Sequence, residues 1–170
     1  MAACENYLDI DADPQRVWDF ISDFGNWGKP LGIKSPLAAN PDLNYTFRLP
    51  EGSVPGVDAW VVMSQDPDTY GTMRRGSREK PLAWRILEWT PLNAIALGTE
   101  RAGWFAKYTA AIAFTMEPLG QLSTRVGFAS DLDSPGGLMM QLLYPQSRLQ
   151  KKAEEQAKAV LARLKEELNP

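Results

Sequence analysis

Few side chains in this sequence can move a proton or share an electron pair at neutral pH, and the set is defined first by what it lacks. There is no histidine among the 170 residues, and Cys4 is the single cysteine. Ser-His-Asp and Cys-His catalysis, a histidine general base and the imidazole metal sites are therefore excluded, and no internal disulfide can form. No acidic cluster has the spacing of a calcium loop, so no metal is expected. What chemistry remains falls to carboxylates, phenols and guanidinium groups. Glu88 and Glu100 lie in strand-like runs, and either carboxyl serves as an acid or base near neutrality only if burial raises its pKa. Tyr108 heads the apolar face of the most clearly alternating run, where a phenol can donate a hydrogen bond or act as a weak acid; a core tyrosine satisfied elsewhere fits the same position. Trp60, Trp84, Trp89, Tyr45 and Phe114 can stack on an aromatic or conjugated ligand, and a packed aromatic core reads the same way.

Other classes of function are excluded by composition. The formal net charge is −3, and Arg74-Arg75 and Lys151-Lys152 are the nearest approach to a basic run, so a nucleic-acid surface is not expected. Gly71, Gly76 and Gly136-Gly137 fit neither nucleotide fingerprint, and no cofactor is implied. No stretch approaches the ~20 apolar residues of a membrane span, and the first residues form no basic-apolar signal segment. The expectation is a cytoplasmic protein without membrane insertion, as one domain over residues 1–170.

The elements that position these residues follow from periodicity and punctuation. Asn6 to Ile10 alternates as a strand. Asp13 can cap the free N–H groups of a helix that starts at Pro14, where the missing proline N–H costs nothing. Val17, Ile21 and Phe24 form one apolar stripe, and Gly25 is expected to stop the helix; a second short helix is expected near Asn26 to Leu31. Between Gly32 and Gly56 the chain is rich in turn formers around one short strand, Tyr45 to Leu49. Six runs follow: Val57 to Gln65, Tyr70 to Ser77, Leu82 to Thr90, Ala94 to Arg101, Lys107 to Met116 and Leu122 to Asp131. The segments between them have turn chemistry, which predicts an antiparallel meander. Residues 137–168 read as helical, with Leu149, Ala153, Val160, Leu161, Leu164 and Leu168 on one stripe and an interruption at Pro145. Leu138, Met139, Leu142 and their neighbours are apolar almost all round, which asks for burial on more than one side.

This order, together with Ile10-x-Ala12-x-Pro14-x-x-Val17-Trp18, Asp23-Phe24-x-x-Trp27, Gly71-Thr72-Met73-Arg74 and Trp84-Arg85-Ile86-Leu87-Glu88, resembles the START-like or SRPBCC superfamily over nearly the whole chain, and within it the polyketide cyclase/dehydrase-like group. The resemblance implies an α+β helix-grip fold. A curved antiparallel sheet of about seven strands would surround a long C-terminal helix, with two short helices between strands one and two. It further implies an internal, largely apolar cavity for a hydrophobic small molecule, on which some members act while others only carry it. Arg74 is then carried over as a donor to a ligand carbonyl or carboxylate, with an outward charge paired to Glu88 or Glu100 as the alternative. Arg74, Tyr108 and Glu88 are the expected catalytic set, and Trp60, Trp84, Tyr45, Phe114, Leu138, Met139, Leu142 and Trp104 the expected ligand contacts. Ser77 to Pro81 and Ala102 to Trp104 would flank the cavity mouth. Trp104-Phe105 suits a lid or a contact with a partner chain, which leaves a homodimer open.

Overall fold

The computed structural model describes residues 4–34, 44–66, 81–102, 107–133 and 146–169, and side chains within these except at 4–5, 101–102, 107–108, 132–133 and 146–148. Seven strands make one antiparallel sheet: β1 (Cys4–Ile10), β2 (Tyr45–Arg48), β3 (Trp60–Gln65), β4 (Leu82–Thr90), β5 (Ala94–Ala102), β6 (Lys107–Gly120) and β7 (Ser123–Asp133). Their order across the sheet is β1-β7-β6-β5-β4-β3-β2. The first strand in sequence thus pairs with the last, Leu8 opposite Val126 and Ile10 opposite Thr124. One part of the expected meander is corrected. Val61 pairs with Trp84 and Met63 with Leu82, so β3 and β4 are direct neighbours, and the strand inserted between them at Tyr70 to Ser77 lies outside the described residues.

Between β1 and β2 the helix α1 (Pro14–Ser22) begins as its sequence dictates, with Asp13 accepting from the N–H of Arg16 at 2.9 Å and proline in the first turn. It ends differently. Asp23, in extended conformation, accepts from the N–H of Gly25 at 2.8 Å and caps a 3-10 helix (Phe24–Asn26), so an aspartate carboxylate rather than a left-handed glycine stops α1. Val17, Trp18 and Ile21 point into the core. The second short helix is this single 3-10 turn, which overlaps the expected span only at Asn26.

The C-terminal helix α2 (Gln146–Leu168) buries Ala157, Val160, Leu161, Leu164 and Leu168 and packs on β1 and β7. Gln156 donates to the carbonyl of Lys34 at 2.9 Å, which ties the helix to the chain that leaves the 3-10 turn. Leu138, Met139, Leu142 and Pro145 lie outside the described residues. A curved sheet gripping a long helix is the helix-grip fold.

Candidate ligand-binding site

Strand alternation gives each strand a buried inner face and an outer face toward solvent. The inner face carries Tyr45 and Phe47 on β2, Val61, Met63 and Gln65 on β3, Trp84 and Ile86 on β4, Ile95, Leu97 and Thr99 on β5, Ala110 to Met116 at every second residue on β6, and Val126, Phe128 and Ser130 on β7, all buried. A plug of aromatic rings fills part of this concavity. Trp27 is in edge contact with Phe114 at 5.3 Å between centroids and in tilted contact with Phe47 at 5.8 Å. Phe114 meets Phe128 at 4.9 Å, and Trp18 and Phe24 close on Trp89.

Buried polar side chains on the described part of this surface are few: Gln65, Asp66, Thr99, Thr124 and Ser130. Two of them have structural tasks. The Thr124 hydroxyl donates to the carbonyl of Ala12 at 2.9 Å, clasping β7 to the turn before α1, and Thr99 donates to the carbonyl of Ala83 at 2.7 Å across β5 and β4. Gln65 and Trp84 differ. Both amide atoms of Gln65, which is 4% exposed, and the indole nitrogen of Trp84, which is 0% exposed, are buried without a hydrogen-bond partner. A group left in that condition costs about 1–3 kcal/mol. Both residues sit on inner positions of adjacent strands, Gln65 opposite Tyr45 and Trp84 opposite Val61.

The expected site residues fall into three groups. Tyr45, Trp84 and Phe114 occupy the inner face, Phe114 as a member of the aromatic plug. Trp60 and Glu88 do not. Trp60 is 51% exposed on the solvent side, because the inner positions of β3 are Val61, Met63 and Gln65. Glu88 follows a register shift between β4 and β5, is exposed, and its carboxylate accepts from the Thr90 hydroxyl at 3.3 Å. Placing these two at the concave site is therefore corrected. Glu100 is likewise exposed. Tyr108 belongs to β6 opposite Arg101, while its side chain, Arg74, Trp104, Leu138, Met139, Leu142 and, apart from Pro81 and Ala102, the two expected mouth loops (Ser77 to Pro81 and Ala102 to Trp104) lie outside the described residues. Gln65 was missed. Its signal is a polar residue that continues the period-two stripe of Val61 and Met63.

A separate open depression of about 710 Å³ lies at the β1 edge, lined by Tyr7, Leu8, Asp9, Glu117, Arg125 and Lys165. Arg125 bonds Asp9 at 2.8 Å and reaches Glu117 at 3.7 Å. The hydrogen bond to Arg125 holds the Asp9 carboxyl below the usual range and raises Arg125 in turn. These ions face solvent and are not part of the concave wall. Among the described residues no three acidic or cysteine side chains gather to hold a metal, and no helix is long and apolar enough to cross a membrane.

The family model for polyketide cyclase/dehydrase and lipid transport matches residues 1–169. The chain belongs to this family. Among solved structures, the di-domain aromatase/cyclase BexL from the BE-7585A biosynthetic pathway is similar over 100% of this chain and 48% of its own, with 13% identity and a TM-score of 0.62. The chain thus spans about half the length of that protein. The ZhuI aromatase/cyclase from Streptomyces sp. R1128 is similar over 98% of this chain and 93% of its own, with 12% identity and a TM-score of 0.61. A START superfamily protein from Mycobacterium smegmatis is similar over 98% and 96%, with 14% identity and a TM-score of 0.60. At these identities the likeness shows the fold. No curated protein matches the sequence. For a polyketide cyclase/dehydrase and lipid transport family member, membership and the buried apolar concave wall together support binding of a hydrophobic small molecule.

Proposed function

We propose that this protein takes up a hydrophobic small molecule between α2 and the inner wall of β3 to β6, and that it acts as a polyketide cyclase/dehydrase-like protein on a polyketide or aromatic intermediate. The observation that carries the binding part is the placement of α2. It packs mainly on β1 and β7, and the inner positions of β3 to β5 beyond them carry the apolar side chains Val61, Met63, Trp84, Ile86 and Leu97. A concave, mostly apolar surface with a few polar groups is the usual form of a small-molecule site. Such a wall can catalyse by holding a flexible chain in one folded conformation, which converts a search among conformers into a single approach. Arg74 and Tyr108 are the residues we assign to polarising its carbonyls.

A second reading, a non-catalytic carrier of lipids or other apolar metabolites, is favoured by a specific observation. Asp66 is the only buried charged side chain among the described residues, and the carboxylate expected to do chemistry, Glu88, is exposed. Mass spectrometry of gently purified protein identifies a retained ligand. Incubation of wild type, Arg74→Met and Tyr108→Phe with a linear poly-β-ketone thioester then separates the readings. Cyclised product from wild type, falling more steeply than binding in the variants, supports the enzyme. Binding with unaltered substrate in all three proteins supports the carrier, and absence of both binding and retained ligand overturns both readings.

A further inference from the structure

Gln65 and Trp84 are the two inner-face side chains that the described protein leaves unsatisfied, at a position where a satisfied polar group or an apolar one would be expected. Their chemistries differ. The indole N–H of Trp84 is a donor only, so it calls for an oxygen that accepts. The Gln65 amide presents both a donor and an acceptor, so its matched partner is a group that does both, such as a hydroxyl. The two positions are set apart by the sheet. Trp84 pairs with Val61, and Gln65 lies four residues further along β3, about 13 Å at the ~3.3 Å rise of a strand. Between them the inner surface is apolar, formed by Met63 and the half-buried Leu82. Charged side chains are absent from the inner positions of β3 and β4 among the described residues, and Asp66 follows β3 at its end.

We propose that Gln65 and Trp84 are the positions at which this protein reads the oxygens of its ligand. The ligand class is then a neutral, elongated, fused or conjugated ring system with a carbonyl oxygen toward Trp84 and a hydroxyl toward Gln65. The inference rests on the hydrophobic-ligand reading above and narrows it, because a plain acyl chain offers neither oxygen at this separation. Both residues are specificity determinants; no catalytic step is assigned to them.

Three neutral probes test this by titration in slightly acidic buffer, where a naphthol keeps its proton: naphthalene, 2-acetylnaphthalene and 6-acetyl-2-naphthol. They are titrated into wild type, Gln65→Leu and Trp84→Phe. Wild type is expected to gain about tenfold in affinity for each added oxygen function, the scale of one hydrogen bond to a buried group. Gln65→Leu loses the preference for the hydroxyl and keeps that for the ketone; Trp84→Phe does the reverse. Naphthalene binds all three proteins alike. Gln65→Leu also melts at or above the wild-type temperature, since a buried amide without a partner is replaced by an apolar group. Unchanged oxygen preferences in both variants, with naphthalene still bound, overturn the inference and leave the hydrophobic-ligand reading intact. A lower melting temperature for Gln65→Leu shows that the amide supports the fold, and overturns it too. Failure of wild type to bind any of the probes counts against the ligand reading itself and removes the inference with it.

Discussion

The indole N–H of Trp27 donates to the backbone carbonyl of Ile21 at 2.7 Å, with both residues fully buried. Ile21 sits in the last turn of α1, whose final carbonyls have no partner within the helix. The bond therefore satisfies a helix end and fixes the angle at which the ring enters the aromatic plug. Trp27→Phe keeps most of the packing and removes the donor. It is expected to destabilise by roughly 1–3 kcal/mol, read as a lower midpoint with unchanged slope in urea denaturation.

Next to Trp27, Gly28 lies where a side chain has no room. A Cβ there would run into the backbone carbonyl oxygen of Tyr45, at the start of β2. Backbone on both sides cannot yield as a flexible side chain would. Gly28→Ala is expected to cost about 1–3 kcal/mol through overpacking, a fall in melting temperature of about 2–4 °C per kcal/mol at this chain length. A melting curve superimposable on wild type would show that β2 can shift.

The clasp between Thr124 and Ala12 predicts a specific pair of outcomes. Thr124→Val is nearly isosteric but strands the Ala12 carbonyl, and is expected to lose roughly 1–3 kcal/mol. Thr124→Ser keeps the hydroxyl and should recover much of that loss. Equal losses in the two variants would assign the effect to packing of the methyl group.

Acid stability carries a smaller signature from Asp9. Its folded pKa is depressed, chiefly by the hydrogen bond from Arg125. A depressed carboxylate contributes stability that is fully present above the unfolded aspartate range and is lost as pH falls through the lower folded value. Asp9→Asn should therefore differ from wild type at neutral pH and converge with it in acid. Because the pair is exposed, the difference should also shrink with added salt. A gap that persists at low pH would show that the amide disturbs the strand.

The limits of β4, and the start of β5, could be read directly in the sequence, because prolines, glycines and asparagines punctuate strands that alternate cleanly. The start of α1 was legible for a similar reason, since a cap and a proline act within one turn. Which face of β3 turns inward was not. Trp60 and Val62 form one set and Val61 and Met63 the other, and both are apolar, so period two identifies the two sets without saying which is buried. That ambiguity put Trp60 at the site and hid Gln65. Glu88 was misplaced by the register shift near Leu87, which a regular alternation does not reveal. The direct pairing of β3 with β4 depends on contacts between distant residues, on which local pattern is silent.

The pairing of β1 with β7 bears on how the molecule is made. Cys4 faces Ser130 and Ile10 faces Thr124 across that ladder, so β1 leaves the ribosome more than a hundred residues ahead of the strand it pairs with. During that interval the apolar side of α1, with Val17, Trp18 and Ile21, also waits for the β6 and β7 surfaces that will cover it. Contacts of such long separation slow folding and prolong the life of exposed apolar surface. The nascent segment of β1 and α1 is thus a natural client of a holding chaperone until β6 and β7 are made.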